Sequence, residues 1–179
     1  MKLTACLGWM VAGSVMMSAA MPRVAKAGQA DASANAAPQN FHCYVGYAVE
    51  ECKQQIEVLK AVVEKYPTKA LGEWTWVLVK SQDWKPIVKK LGLDANSPAF
   101  TCLEKRVTFV EEALVSSVTG QREEELFGTW HVRGANLLDL AVRHEMGHSI
   151  CNTKAEDKAD HIASVLERHA ALSCQTALL

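Results

Sequence analysis

The sequence predicts an α+β domain, in which a helix precedes short strand-forming segments and two helices close the chain. Three observations carry this. Between Val49 and Tyr66 the apolar residues Cys52, Ile56, Leu59, Val63 and Tyr66 recur at steps of four and three, the period of an amphipathic helix. "WTWVLVKS", Trp74 to Ser81, is short and dense in aromatic and β-branched residues, as a strand buried on both faces is. In "LLDLAVRHEMGHSIC", Leu137, Ala141, His144 and His148 fall on one helical face. A length of 179 residues, 49% hydrophobic and 22% charged, matches one globular domain. A net charge of -1 without clustered Lys or Arg argues against a nucleic-acid partner.

The elements follow in order. Residues 1–27 read as a signal peptide: Lys2 supplies the positive charge, Leu3 to Met21 is uncharged, and Ala25-Lys26-Ala27 offers a small-x-small cleavage site. Loss of this segment removes Lys2, Arg23 and Lys26 and no acid, which takes the net charge from -1 to -4. The expected location is secreted or periplasmic, with no stable membrane anchor after cleavage. Residues 28–40, "GQADASANAAPQN", lack an apolar period and read as a flexible linker. The domain is expected over residues 41–179. Export places the remaining cysteines in an oxidising compartment, where Cys43–Cys52 and Cys151–Cys174 are the expected pairs and the odd count leaves one thiol over.

Within the domain, Pro67 stops the first helix, and Trp74 to Ser81 forms a strand. Asp83 is expected to cap a short helix that runs through Leu91 and ends at Gly92. Two more strands, about Ala99 to Leu103 and Val107 to Val115, read as a hairpin turned at Glu104 to Arg106, giving a small mixed sheet. Thr119 to Gly134, charged and punctuated by glycine, is expected to be a surface loop. Asn136, with Asp139 three residues on, is expected to cap the penultimate helix. After a turn at Asn152-Thr153 comes a last helix with a packing stripe of Ala159, Ile162, Ala163, Leu166 and Ala170.

His144-Glu145-Met146-Gly147-His148 is an H-E-x-x-H. Imidazoles four residues apart on a helix lie one above the other and can grip a single Zn²⁺, while Glu145 is placed to take a proton from water at the metal. Catalytic zinc needs a third protein ligand and an open position. Glu156 is the candidate, because the helix-turn-helix returns it beside the first helix, and Asp160, on the same face, can accept the free ring N–H of a ligand histidine. A competing role for Glu156 is structural. Thr153-Lys154-Ala155-Glu156 has the form of a capping box, in which case Asp160 or His161 would be the third ligand. Asp157 faces away and is solvated.

H-E-M-G-H followed by E-D-K-A-D resembles the gluzincin zinc metallopeptidases, whose H-E-x-x-H helix precedes a helix bearing E-x-x-x-D. The resemblance covers roughly Leu137 to Ala163, and the compact element order is similar to the minimal, single-domain gluzincins. It implies a zincin-like fold in which a backing helix and small sheet pack on the two site helices. It implies His144, His148 and Glu156 as zinc ligands, Asp160 as the outer partner of a ligand, and Val107 to Val115 as the edge strand that a peptide or protein substrate lies along. Gluzincins commonly place a Tyr or His beyond the glutamate to steady the oxyanion; here His161 and His169 follow, and His131 precedes the site helix. The gap from His148 to Glu156 is shorter than in most gluzincins, and Lys154 stands where metzincins carry a third histidine.

The expected function is hydrolysis of peptide bonds by a zinc-activated water with Glu145 as general base. From a different class, the alternative is an extracytoplasmic binding or inhibitory module whose zinc is structural or absent.

Overall fold

The computed structural model describes residues 37–116 and 121–174. The expected signal peptide and residues 28–36 of the expected linker lie outside them. Among the described residues the chain is α+β, with a mixed four-stranded sheet and five α-helices. In chain order these are β1 (Gln39–Cys43), α1 (Val49–Val63), β2 (Trp74–Val79), α2 (Ser81–Leu91), β3 (Ala99–Cys102), β4 (Val107–Glu111), α3 (Gln121–Trp130), α4 (Ala135–Ile150) and α5 (Glu156–Glu167). Gln39 and Asn40, expected in the linker, belong to β1 and pair with Trp74 and Thr75. Gln39 Nε2 also donates to the Gly72 carbonyl at 2.9 Å, which ties this end of the strand down.

The sheet order is β1-β2-β4-β3, with β1, β2 and β4 parallel and β3 antiparallel to β4. Alternation along β2 sends Trp74, Trp76 and Leu78 to one face, where they meet Leu59 and Val63 of α1, Leu138 and Met146 of α4, and Ile162 of α5. Val79 points to the opposite face, into a second cluster with Trp84 and Val88 of α2 and the Phe100–Phe109 stack. The strand is thus buried on both faces, as its composition predicts. Strand β4 is not the exposed edge expected for Val107 to Val115. It pairs with β2 on one side and β3 on the other, and Glu112–Leu114 leave the sheet as a single helical turn. Edge position falls to β3, because the hairpin folds it back outside β4.

Two helix starts differ from expectation because their caps come from elsewhere. Helix α2 begins at Ser81, with Asp83 inside its first turn, and the Ser81 amide donates to the Glu112 carboxylate at 3.2 Å. Its expected end holds: Gly92 adopts φ 70°, a left-handed stop that favours glycine. Gly134, not Asn136, takes the cap position of α4 at φ 58°. Asp139 accepts instead from the Tyr66 hydroxyl at 2.8 Å and from Arg143 Nε at 3.0 Å. Arg143 is itself buried and donates to the Ala163 carbonyl at 3.1 Å, joining α4 to α5.

The segment expected to be a surface loop contains α3. Its Gln, Arg, Glu and Leu residues are strong helix formers, and Gly128 faces open space, so it costs only about 1 kcal/mol of propensity. Leu126 is fully buried, and Arg122 Nε grips the Glu111 carboxylate of β4 at 3.0 and 3.1 Å. The final packing stripe is Ala159, Ile162, Ala163, Val165 and Leu166; Ala170, expected to belong to it, lies past the helix end and is exposed.

Both expected disulfides are present, Cys43–Cys52 and Cys151–Cys174. None of the described cysteines is a free thiol, so the leftover thiol is not found among them. Among the described residues no helix is long and apolar enough to cross a membrane.

Candidate metal centre

Helix α4 carries His144, Glu145 and His148, and all three side chains are buried. Helix α5 lies against it because Gly147 has no side chain. A Cβ there would stand 2.5 Å from the Ala159 carbonyl oxygen and 2.9 Å from its Cα. This close approach brings the start of α5 over the two histidines. His144 Nε2 and His148 Nε2 are 3.1 Å apart, and Glu156 Oε2 lies 3.1 Å from the first and 3.5 Å from the second.

The opposite ring nitrogens determine the chemistry of this triangle. His148 Nδ1 lies 2.9 Å from the Thr153 carbonyl, which can only accept, and His144 Nδ1 lies 2.8 Å from the Asp160 carboxylate. Both Nδ1 atoms therefore donate. In the neutral rings each Nε2 presents a lone pair, and the two lone pairs converge with a carboxylate oxygen. Three electron-pair donors this close repel one another unless positive charge lies between them. A single proton bridges one pair and leaves the third donor unsatisfied, whereas a metal ion satisfies all three. His144, His148 and Glu156 can together hold a metal ion. Among the described residues no fourth His, Cys, Asp or Glu joins the group.

Glu156 does not act as the glutamate of a capping box. Ala155 takes the cap position of α5, the Thr153 hydroxyl accepts from the Ala155 amide at 3.2 Å, and the Glu156 carboxylate turns to the imidazoles. Asp160 contacts His144 through Nδ1, on the far side from the triangle. His161 is exposed, as is Asp157.

Glu145 is buried beside His148, with 5% of its surface exposed. Burial pushes its carboxyl up to about 7, while His148 and the Thr101 hydroxyl pull it down. Its Oε2 has no hydrogen-bond partner. A buried carboxyl oxygen left without a partner is costly unless chemistry uses it.

A cleft of about 150 Å³ opens onto these groups. Edge strand β3 forms one wall, Leu93 and Trp130 another, and Thr153, Lys154 and Glu156 the lip. Lys154 pairs with Glu104 across the mouth at 2.8 Å, and Trp130 meets the His144 ring edge-on at 5.7 Å between centroids. None of the candidate oxyanion donors lines this cleft. His131 adopts φ 55° and packs edge-on against Phe127, and His169 stacks on Tyr66. Sequence reasoning missed Thr101, Trp130 and the Thr153 carbonyl. The first two stand in segments with no motif, and a carbonyl carries no sequence signal. The chain matches no protein-family model, and no match is found among curated proteins or solved structures.

Proposed function

We propose that this protein is an exported zinc-dependent peptidase of gluzincin type. One observation carries the reading: two imidazole lone pairs and a carboxylate oxygen converge beside a buried glutamate whose Oε2 lacks a partner, at the floor of an open cleft. Zinc suits the donor set of two imidazoles and one carboxylate. A tetrahedral ion with bonds of about 2.0–2.1 Å keeps its ligands roughly 3.3 Å apart. The separations of 3.1, 3.1 and 3.5 Å agree with that. Three protein ligands favour a catalytic over a structural site, because structural zinc is closed by four. The two disulfides fit the oxidising compartment that export implies.

His144, His148 and Glu156 would hold the ion, and zinc bound there would supply Lewis acidity toward a peptide carbonyl and a water. The protein's own groups do the rest. Glu145 would accept the water's proton on its carboxylate as the water oxygen attacks the carbonyl carbon. When the C–N bond breaks, the same carboxyl returns that proton to the leaving amine. Asp160 and the Thr153 carbonyl hold the two imidazoles in the tautomer that turns Nε2 toward the ion. An extended substrate would lie along β3 rather than β4, since β3 has an unpaired edge beside the cleft.

The test is a mixed peptide library incubated with the mature chain, with and without a chelator. Cleavage is expected to disappear on chelation and return with zinc. Glu145→Gln is expected to abolish turnover while zinc stays bound. Full hydrolysis by that variant would overturn the mechanism, and bound zinc without any cleavage would leave a binding or inhibitory module.

A further inference from the structure

Hydrolysis of a peptide bond builds negative charge on the carbonyl oxygen. As the water oxygen bonds to the carbon, the C=O π electrons move onto that oxygen, and they return when the C–N bond breaks. A donor placed against the oxygen speeds the reaction, because it binds the charged form more tightly than the neutral carbonyl.

Most donors that line the cleft are already committed. His144 Nδ1 and His148 Nδ1 donate away from it, to the Asp160 carboxylate and the Thr153 carbonyl. The Trp130 indole N–H donates to the Asn96 carbonyl at 3.3 Å, and the Thr101 hydroxyl lies 2.7 Å from that of Thr108. Ser97 brings only a neutral hydroxyl. Lys154 is the one Lys or Arg among the described residues that line the cleft.

The backbone of Lys154 is fixed by the candidate metal centre. The carbonyl of Thr153 before it accepts from His148 Nδ1, Ala155 after it takes the cap position of α5, and Glu156 comes next. From there the side chain crosses to the opposite lip, where Nζ donates to Glu104 Oε1 at 2.8 Å in the turn that follows β3. The ammonium thus stands at the mouth of the cleft. It has three N–H groups, of which Glu104 takes one and two remain. The two side chains are 48% and 54% exposed, so the pair is weak, and Nζ can turn toward an oxygen in the cleft at little cost.

We propose that Lys154 is a catalytic residue whose ammonium donates to the oxyanion of the tetrahedral intermediate. This rests on the hydrolytic reading above, and it supplies the donor that His131, His161 and His169 do not. Glu104 keeps the ammonium at the mouth while the cleft is empty.

The experiment uses the full chain with its disulfides formed and zinc added. Lys154→Met is expected to lower kcat about 100-fold with KM and zinc affinity unchanged, the pattern of an interaction made only in the transition state. Lys154→Arg, which keeps a charged donor, is expected to recover much of the loss. Glu104→Gln breaks the same ion pair but leaves the ammonium, and is expected to change kcat by no more than about fivefold. A peptide with a phosphinate in place of the scissile amide presents an anionic tetrahedral group that is not cleaved. Lys154→Met is expected to bind it about 100-fold more weakly in calorimetry. A kcat unchanged in Lys154→Met, or a loss in Glu104→Gln as large as in Lys154→Met, would overturn the role. If the parent protein cleaves no peptide, the hydrolytic reading fails, and the phosphinate decides for Lys154: affinity that is absent in the parent, or unchanged in Lys154→Met, overturns the proposal.

Discussion

Gly147 separates a packing argument from a propensity argument. Replacing a helical glycine by alanine ordinarily stabilises a protein by about 1 kcal/mol. At Gly147 the new Cβ would stand 2.5 Å from the Ala159 carbonyl oxygen, inside the 3.0 Å that real side chains keep, so α5 has to withdraw by at least about 0.5 Å. Overpacking of this kind costs roughly 1–3 kcal/mol, which outweighs the propensity gain and leaves a net loss of about 1 kcal/mol. For a domain of this size that lowers Tm by roughly 2–4 °C. Ala159 lies between Glu156 and Asp160, so the withdrawal carries both away from His144, whose ring nitrogens lie 3.1 and 2.8 Å from them. Metal affinity is expected to fall about 10–100-fold, the usual cost of disturbing the partners of a ligand. Thermal melts followed by circular dichroism and competition with a chromophoric chelator measure the two effects. Gly128→Ala in α3 is the control, because open space surrounds Gly128 and the same substitution there is expected to stabilise. A Gly147→Ala protein that is more stable than the parent and binds metal as tightly would refute the close-approach reasoning.

Asp160→Asn keeps the shape of the side chain but weakens its hold on His144 Nδ1, and is expected to reduce metal affinity about 10-fold or more in chelator competition. Glu145 predicts a pH dependence in the metal-free protein. Its folded pKa of about 7 lies above its ordinary 4.5, so burial costs nothing below the unfolded pKa and destabilises progressively as pH rises through this window. Between pH 4.5 and 7 this group is expected to remove about 3 kcal/mol from the unfolding free energy, and Glu145→Gln is expected to flatten that slope in urea titrations. Arg122→Met leaves the buried Glu111 carboxylate uncompensated, and a loss of about 3–5 kcal/mol in denaturant unfolding is expected. Adding Glu111→Gln is expected to restore much of it.

The core and the first site groups were legible because periodicity and spacing are local. Leu59 and Val63 of α1 are buried as their spacing predicts, while Tyr66, expected on the same helix, is buried three residues past its end, and the pentad sits on a helix that turns both histidines the same way. The pairing of cysteines was expected from their proximity in the chain and from the export that the N-terminal sequence suggests. What stayed hidden depends on partners far away in sequence. Helix α2 starts at Ser81 because Glu112 accepts from its amide, and α3 exists because Leu126 and Arg122 find the core and Glu111. Strand β4 lost its edge to β3 through topology, which a pattern of apolar residues does not encode. Around the candidate metal centre the histidines were readable, whereas the Thr153 carbonyl and Thr101 emerge from how the turn and hairpin meet the helix.

The central claim is that His144, His148 and Glu156 jointly hold one cation and leave a coordination position open. Elemental analysis of the oxidised protein after dialysis against excess zinc, run beside His148→Ala and Glu156→Ala, tests it most directly. One equivalent of zinc is expected in the parent protein, and a large loss in both variants. A parent protein with no stoichiometric metal, or variants that retain all of it, would contradict the account.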